Sequence, residues 1–213
     1  MRLVLLSDTH GQHRAASVPE GDILLFAGDM LLFGDADALD DFNAWLGGLP
    51  HRHKLVIAGN HDSCFEEDPA VSVSRLTNAQ YLQDQAVALG GLKFYGSPWQ
   101  PWLGNMAFNL PRGEALREKW ALIPSDTDVL VTHTPPWGQG DLTRREQQVG
   151  CRDLWDAVLR IQPRLHVFGH IHEAAGTSVH GATTFVNASA CDVAYQCVRS
   201  AVVLDYDTSP VTG

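Results

Sequence analysis

Apolar runs recur along the chain at residues 3–6, 23–26, 55–58, 93–95, 129–132, 165–168, 183–186 and 201–204. Most are continuous rather than alternating, which is the pattern of strands covered on both faces. A helical period appears between several of them. Leu39, Phe42 and Leu46 share one helical face that stops at Gly47-Gly48, and Leu116, Trp120 and Ile123 repeat that spacing before Pro124. A third helix is expected near residues 152–160, with Leu154, Val158 and Leu159 turned inward.

Strand and helix alternate in the first half, and short consecutive strands follow at residues 80–95 and 183–204. This order predicts an α/β protein in which two mixed β-sheets pack face to face with helices outside. The Pro- and Gly-rich stretches at 96–111 and 134–140 read as surface loops. A length of 213 residues fits one domain, so a single domain over residues 1–213 is expected.

Composition narrows the partners. Apolar residues make up 45% and charged residues 19%, as in an ordinary globular protein. The formal charge is −10 and the 15 Lys and Arg are scattered, which argues against a duplex nucleic-acid binder. No stretch is long and apolar enough to suggest a membrane span. The run at residues 3–6 is shorter than a signal-peptide core of about 7 to 15 residues and ends in Ser7-Asp8. Cys64, Cys151, Cys191 and Cys197 form no C-x-x-C pair and read as small buried hydrophobes in a reducing compartment. A cytoplasmic enzyme is the default expectation.

The chemistry lies in five short pieces: Asp8-Thr9-His10, Gly28-Asp29, Gly59-Asn60-His61-Asp62, His133, and Gly169-His170-Ile171-His172. Each follows an apolar run, so its side chains can converge at one sheet edge. Oxygen and imidazole ligands suit manganese, iron or zinc, and the set points to a two-metal centre that hydrolyses a phosphate ester. In extended backbone, residues i and i+2 point the same way, so Asp8 with His10, and His170 with His172, are each expected to face one pocket. Asp29 offers two oxygens and is the natural bridge. Singly, these pieces have plainer readings as polar loops, turns, helix caps or core histidines. Jointly they favour the metal centre. His13, His51, His53, His166 and His180 lack motif partners and read as surface or incidental.

Trp99, Trp102 and Trp137 fall on loops near the expected site. They are either loop anchors or a stacking wall for a nucleobase or aryl leaving group. Arg112, Arg144 and Arg145 are candidate phosphate contacts or ordinary surface charges.

The order D-x-H, G-D, G-N-H-D, H and G-H-x-H over residues 8–172 resembles the calcineurin-like metallophosphoesterase superfamily. The segments Gly96-Ser97-Pro98-Trp99-Gln100-Pro101-Trp102, Phe108-Asn109-Leu110-Pro111-Arg112-Gly113, Thr132-His133-Thr134-Pro135-Pro136, Val149-Gly150-Cys151 and Asn187-Ala188-Ser189 are similar to its small metallophosphoesterase domain-containing (MPPED-like) branch. The chain departs from that branch at Thr134, where glycine is commoner.

The resemblance implies a four-layer α-β-β-α sandwich. It implies a first metal held by Asp8, His10, Asp29 and His172, and a second by Asp29, Asn60, His133 and His170. His61 would face the substrate phosphate as proton donor or transition-state stabiliser, with Asp62 either orienting its ring or capping a helix that starts near Ser63. Two divalent ions, manganese or iron with zinc as an alternative, would share a bridging hydroxide. Their charge, less that of two carboxylates and the hydroxide, leaves the centre at about plus one, suited to a phosphate anion. The implied activity is phosphodiester hydrolysis, with 2′,3′- or 3′,5′-cyclic nucleotides as candidate substrates. A phosphomonoesterase acting on a small phosphate ester is the second reading. A scaffold with a decayed metal site is the third, but such a scaffold would lack ligands that are all present here.

Overall fold

The computed structural model describes residues 1–206. Its first half runs β1 (Arg2–Leu6), β2 (Ile23–Ala27), α1 (Ala36–Gly47), β3 (His53–Ile57), α2 (Cys64–Glu67), α3 (Pro69–Arg75), β4 (Gln80–Tyr81), β5 (Gln85–Leu89) and β6 (Leu92–Ser97). The second half runs β7 (Gln100–Pro101), β8 (Asn109–Leu110), α4 (Glu114–Ala121), β9 (Val129–Thr132), α5 (Arg152–Ile161), β10 (Leu165–Phe168), β11 (Gly176–His180), β12 (Thr183–Asn187) and β13 (Val202–Asp205).

Two mixed sheets result. The first has the order β13-β1-β2-β3-β4 and is parallel except for β13; the second has the order β11-β12-β10-β9-β6-β5 and is parallel except at its two edge strands. The alternation of side chains along each strand sorts them into layers. Leu3, Leu5, Ile23, Leu25, Leu55 and Ile57 pack against Phe94, Val129, Val131, Leu165, Val167 and Val186 between the sheets. Their neighbours Val4, Leu6, Leu24, Phe26 and Val56 point the other way, onto Leu39, Phe42 and Leu46 of α1. On the far side of the second sheet, Tyr95, Leu130, Phe168 and Phe185 meet Leu116 and Trp120 of α4 and Leu154, Val158 and Ile161 of α5. The strands read as continuous apolar runs because both of their faces are buried, and each such side chain contributes about 1.5 to 3 kcal/mol.

The helices end where their residues dictate. Asp35 caps α1 by accepting the Asp37 amide, and Cys151 caps α5 by accepting the Leu154 amide. Leu159 of α5, expected inward, is 47% exposed, and Ala157 and Ile161 take the buried stripe with Leu154 and Val158. Edge strands β5 and β11 are largely exposed, and β11 carries no apolar run that would announce it. Of the histidines read as surface or incidental, His13, His51 and His166 are buried, whereas His180 is exposed. All four cysteines are free thiols, with Cys151 and Cys191 buried. Among the described residues, no helix is long and apolar enough to cross a membrane.

Candidate metal centre

The five pieces lie just beyond the C-terminal ends of β1, β2, β3, β9 and β10, so both sheets feed one site. Backbone hydrogen bonds close them together. The Asp8 amide donates to Gly28 O, the His10 amide to Asp29 O, and the Gly169 amide to His133 O. Asp8, His10, Asp29 and His170 all have positive φ, between 46° and 70°. The left-handed region is uncommon for residues with side chains, and strain of this kind concentrates where function holds it in place. This corrects the basis on which the paired ligands were expected to converge. Asp8 and His10 face one pocket because both sit in left-handed turns, and His172 opens a short 3-10 turn, so extended alternation aims neither pair.

Glycines make the close approach possible. A β-carbon on Gly28, whose φ is +94°, would lie 2.6 Å from His133 Nδ1, and one on Gly169 would collide with the Asp8 carboxylate and Ser7 Oγ.

Asp29 Oδ1 accepts the His61 amide at 2.9 Å. Its Oδ2 lies 3.8 Å from His10 Nε2 on one side and 3.4 Å from His133 Nε2 on the other. On the His10 side, His172 Nε2 is 3.1 Å from His10 Nε2 and 3.2 Å from Asp8 Oδ1. On the His133 side, His133 Nε2 is 2.9 Å from Asn60 Oδ1, and the His170 ring lies 5.0 Å from that of His133. All eight residues from Asp8 to His172 in the motifs, Asp62 set aside, are gathered around this point.

The donor set fits cations. His133 Nδ1 donates to Ala27 O at 2.9 Å, and His172 Nδ1 donates to Asp192 O at 2.8 Å. In the neutral ring each Nε2 then carries a lone pair, and those lone pairs face Asn60 Oδ1, Asp29 Oδ2, Asp8 Oδ1 and another imidazole nitrogen. Acceptors this close repel unless a proton or a cation lies between them. Three groups of potential ligand atoms lie within 4.8 Å of one another: Asp8/His10/His172, His10/Asp29/His61 and Asp8/Asp29/His133. Proximity alone therefore does not separate His61 from the ligands.

Electrostatics agree with a cation-binding set. Burial raises the Asp8 carboxyl, but the hydrogen bond from His172 and the charges of His133, His172 and His10 outweigh it and hold it well below the ordinary range. Burial likewise opposes ionisation of Asp29, yet His133 holds it down at about 2. His133 shows the reciprocal effect: burial lowers it, and the Asp29 and Asp8 charges lift it to about 9. His170, partly exposed at the cavity wall, is pushed down to about 3 by desolvation and then by the His133 charge, and stays a neutral donor.

The His61 ring is aimed by Leu32, whose carbonyl accepts its Nδ1–H at 2.8 Å. Asp62 does not orient that ring, nor does it cap α2. Its buried carboxylate accepts the amides of Gly59, Leu31 and Met30 at 2.8, 2.9 and 3.3 Å, tying the loop after β3 to the loop after β2. Burial and the neighbouring Asp29 push it up to about 7.

The tryptophans do not form a wall at the centre. Trp99 donates to Asp84 at 2.8 Å beneath Lys119, and Trp137 stacks under Arg152 at 3.7 Å. Trp102 is 69% exposed and lines neither cavity at the site. Arg112 spends its guanidinium on the carbonyls of Val149 and Gly150.

Three further contributors lie outside the five pieces: Asn187 and Ser189 belong to the Asn187-Ala188-Ser189 segment noted in the sequence, whereas Tyr195 had no distinguishing signal in the chain. Ser189 Oγ lies 2.9 Å from Asp8 Oδ2, while Asn187 Nδ2 donates to Ile171 O at 2.8 Å and so holds the turn between His170 and His172. Tyr195, with φ of 57°, sets its ring edge-on to His10 at 4.7 Å and to His172 at 5.5 Å. With Asp29, Asn60, His61, His170 and His172 it lines a cavity of about 200 Å³.

Comparison with known proteins follows this geometry. The calcineurin-like phosphoesterase family model matches residues 1–174. Metallophosphoesterase domain-containing protein 1 of Homo sapiens is 46% identical over 232 residues, covering 97% of this chain and 71% of that protein. A UPF0046 protein of Caenorhabditis elegans is 41% identical, covering 95% and 74%. The crystal structure of TT1561 of Thermus thermophilus shares the fold with a TM-score of 0.58 at 14% identity, covering 87% of this chain and 88% of that one. A chain described as GAP50, the anchor in the inner membrane complex of Plasmodium, shares it at 0.52 and 9%, covering 89% and 71%. By the family model and by its identity to the Homo sapiens and Caenorhabditis elegans relatives, the chain belongs to the calcineurin-like phosphoesterase family, and its own buried Asp and His cluster marks it as a metal-dependent phosphoesterase.

Proposed function

We propose that this protein hydrolyses phosphodiesters through a dinuclear centre. The position of Asp29 Oδ2 between the Nε2 atoms of His10 and His133 supports the dinuclear part of this reading. Asp8, His10, Asp29 and His172 would hold one cation, and Asp29, Asn60, His133 and His170 the other. When bound, such a pair supplies an activated water and positive charge for the phosphoryl oxygens.

The remaining work falls to the chain. His61 holds its Nδ1–H against Leu32 O, so Nε2 is the atom left to give a proton to the departing oxygen. Tyr195 covers the His10 and His172 rings and limits water at that side. Preference for diesters rests on one observation above the others. Glu173 lines the cavity and, among the described residues, no Lys or Arg does, so nothing there offsets the second negative charge of a monoester dianion. A cyclic nucleotide monoanion meets that requirement. The protein needs no basic surface to attract such a substrate, in keeping with its formal charge of −10.

The test is a hydrolysis panel of bis(p-nitrophenyl) phosphate, p-nitrophenyl phosphate, and 2′,3′- and 3′,5′-cyclic AMP, run in turn with Mn²⁺, Fe²⁺ and Zn²⁺. The expected result is a kcat/KM for bis(p-nitrophenyl) phosphate at least about tenfold above that for the monoester, about 1.4 kcal/mol of discrimination. The reverse order favours the phosphomonoesterase. Absence of turnover with every metal returns the scaffold reading.

A further inference from the structure

A second cavity, of about 270 Å³, adjoins the centre, and Asn60 and His61 line both. Its remaining walls include Leu32, Phe33, Asn105 and Met106. Phe33 is 84% exposed, an unusual setting for a phenyl ring beside a polar centre. Single exposed apolar residues are ordinary on protein surfaces. Here, however, three apolar side chains converge on one hollow that opens onto the site.

Local structure holds the hollow in register with His61. Leu32 O accepts the His61 Nδ1–H at 2.8 Å, so the backbone that aims His61 also presents Phe33 as its next residue. Gly34 turns the chain back with φ of +69° against Ser63, where a β-carbon would strike the serine side chain. The opposite wall is fixed by the Ala107 amide, which donates to Asn60 O at 3.1 Å. Both walls are thus tied to the loop that carries Asn60 and His61, one through the His61 side chain and the other by a backbone hydrogen bond.

We propose that this second cavity is the leaving-group subsite and that it takes an aromatic group, a nucleobase or an aryl ring, stacked on Phe33 and packed against Met106. The assignment rests on the diesterase reading above, in which His61 protonates the departing oxygen and the departing group therefore lies on the His61 side. Asn105 and Ser63 supply polar atoms for the ring edge. It replaces the wall that Trp99, Trp102 and Trp137 do not form.

Stacking of a base on an aromatic side chain is strong enough that its loss weakens binding roughly 5- to 150-fold. The measurement is calorimetric binding of phenylphosphonate and methylphosphonate, neither of which can be hydrolysed, to the Mn²⁺-loaded protein. In Phe33→Ala and in Met106→Ala the preference for phenylphosphonate over methylphosphonate falls by that factor relative to the unaltered protein. In Val179→Ala, which trims a 70% exposed residue on an edge strand, the preference stays as it was. Because the readout is a ratio, differences in the acidity of the two ligands cancel, and circular dichroism verifies the fold of each variant. An unchanged preference in both Phe33→Ala and Met106→Ala, or an equal loss of both ligands, overturns the subsite. If bis(p-nitrophenyl) phosphate is turned over while the preference does not move, the subsite falls and the diesterase reading stands. If the preference falls as expected while no diester is turned over, the aromatic pocket stands and the reaction assigned to it falls.

Discussion

Asp29 joins the two halves of the centre through one carboxylate, with one oxygen held by the His61 amide and the other between two imidazoles. Its neighbour His61 has a different anchor, the Leu32 carbonyl, which no motif spacing could reveal. The two residues therefore separate in a mutational test. Asp29→Ala is expected to lose both ions by elemental analysis, because on the proposed dinuclear reading Asp29 would be the ligand common to both. His61→Ala is expected to keep both ions while kcat for bis(p-nitrophenyl) phosphate falls on the order of a hundredfold or more, the usual contribution of a positioned proton donor. Two ions retained in Asp29→Ala would remove it as the bridge, and unaffected hydrolysis in His61→Ala would remove the proton-donor role. At this scale the chain disclosed which side chains carry chemistry, because Asp, His and Asn are seldom buried without partners. It marked Asn187 and Ser189 only as part of a family-like segment and did not disclose Tyr195; their roles come from their positions beside Ile171, Asp8 and His10.

Among elements, the strand-end turns decide the site. β1, β2 and β3 deliver their loops to one edge because they are parallel and adjacent, and β9 and β10 do the same from the second sheet. The turns then leave little room. A β-carbon on Gly59 would lie 2.5 Å from the Asp29 backbone nitrogen and 2.7 Å from His133 Cε1. Gly59→Ala must push apart two loops that Asp62 clamps through three amides. We expect it to cost about 1 to 3 kcal/mol in denaturant unfolding of the metal-free protein and to weaken metal uptake as well. Unfolding and metal content equal to those of the unaltered protein would show that the loops yield freely. Elements with a buried face were legible from their apolar period, as in α1 and the core strands. Edge strand β11 was not, since exposed residues keep no such period. Leu159 was misassigned because α5 rotates its stripe toward Ala157 and Ile161, small and large residues that fit the second sheet's outer face.

For the whole molecule, the inter-sheet and helix-facing layers are so thoroughly apolar that a buried histidine among them affects pH stability. His166 on β10 has Nε2 2.8 Å from Thr132 Oγ1, whose proton goes to Thr134 O, and its Nδ1 has no hydrogen-bond partner among the described residues. Burial pushes this ring down from 6.5 to about 3. As pH falls below 6.5 the unfolded chain takes up the proton first, so stability is fully present above that value and is lost as pH approaches 3. The shift amounts to on the order of 5 kcal/mol. In metal-free protein, His166→Leu is expected to flatten the fall in unfolding free energy between pH 6.5 and 4, and an unaltered slope would clear His166 of the effect. The sequence by itself determined the layer plan, because strands buried on both faces must be apolar throughout. It also determined the ligand types, because buried carboxylates and imidazoles need charged partners. Only the tertiary structure decided that left-handed turns aim Asp8 and His10, that Asp62 clamps loops instead of steering His61, and that Phe33 rather than a tryptophan stands beside the centre. Those outcomes depend largely on contacts between residues about 20 to 30 positions apart, and local pattern carries no record of which distant backbone will approach.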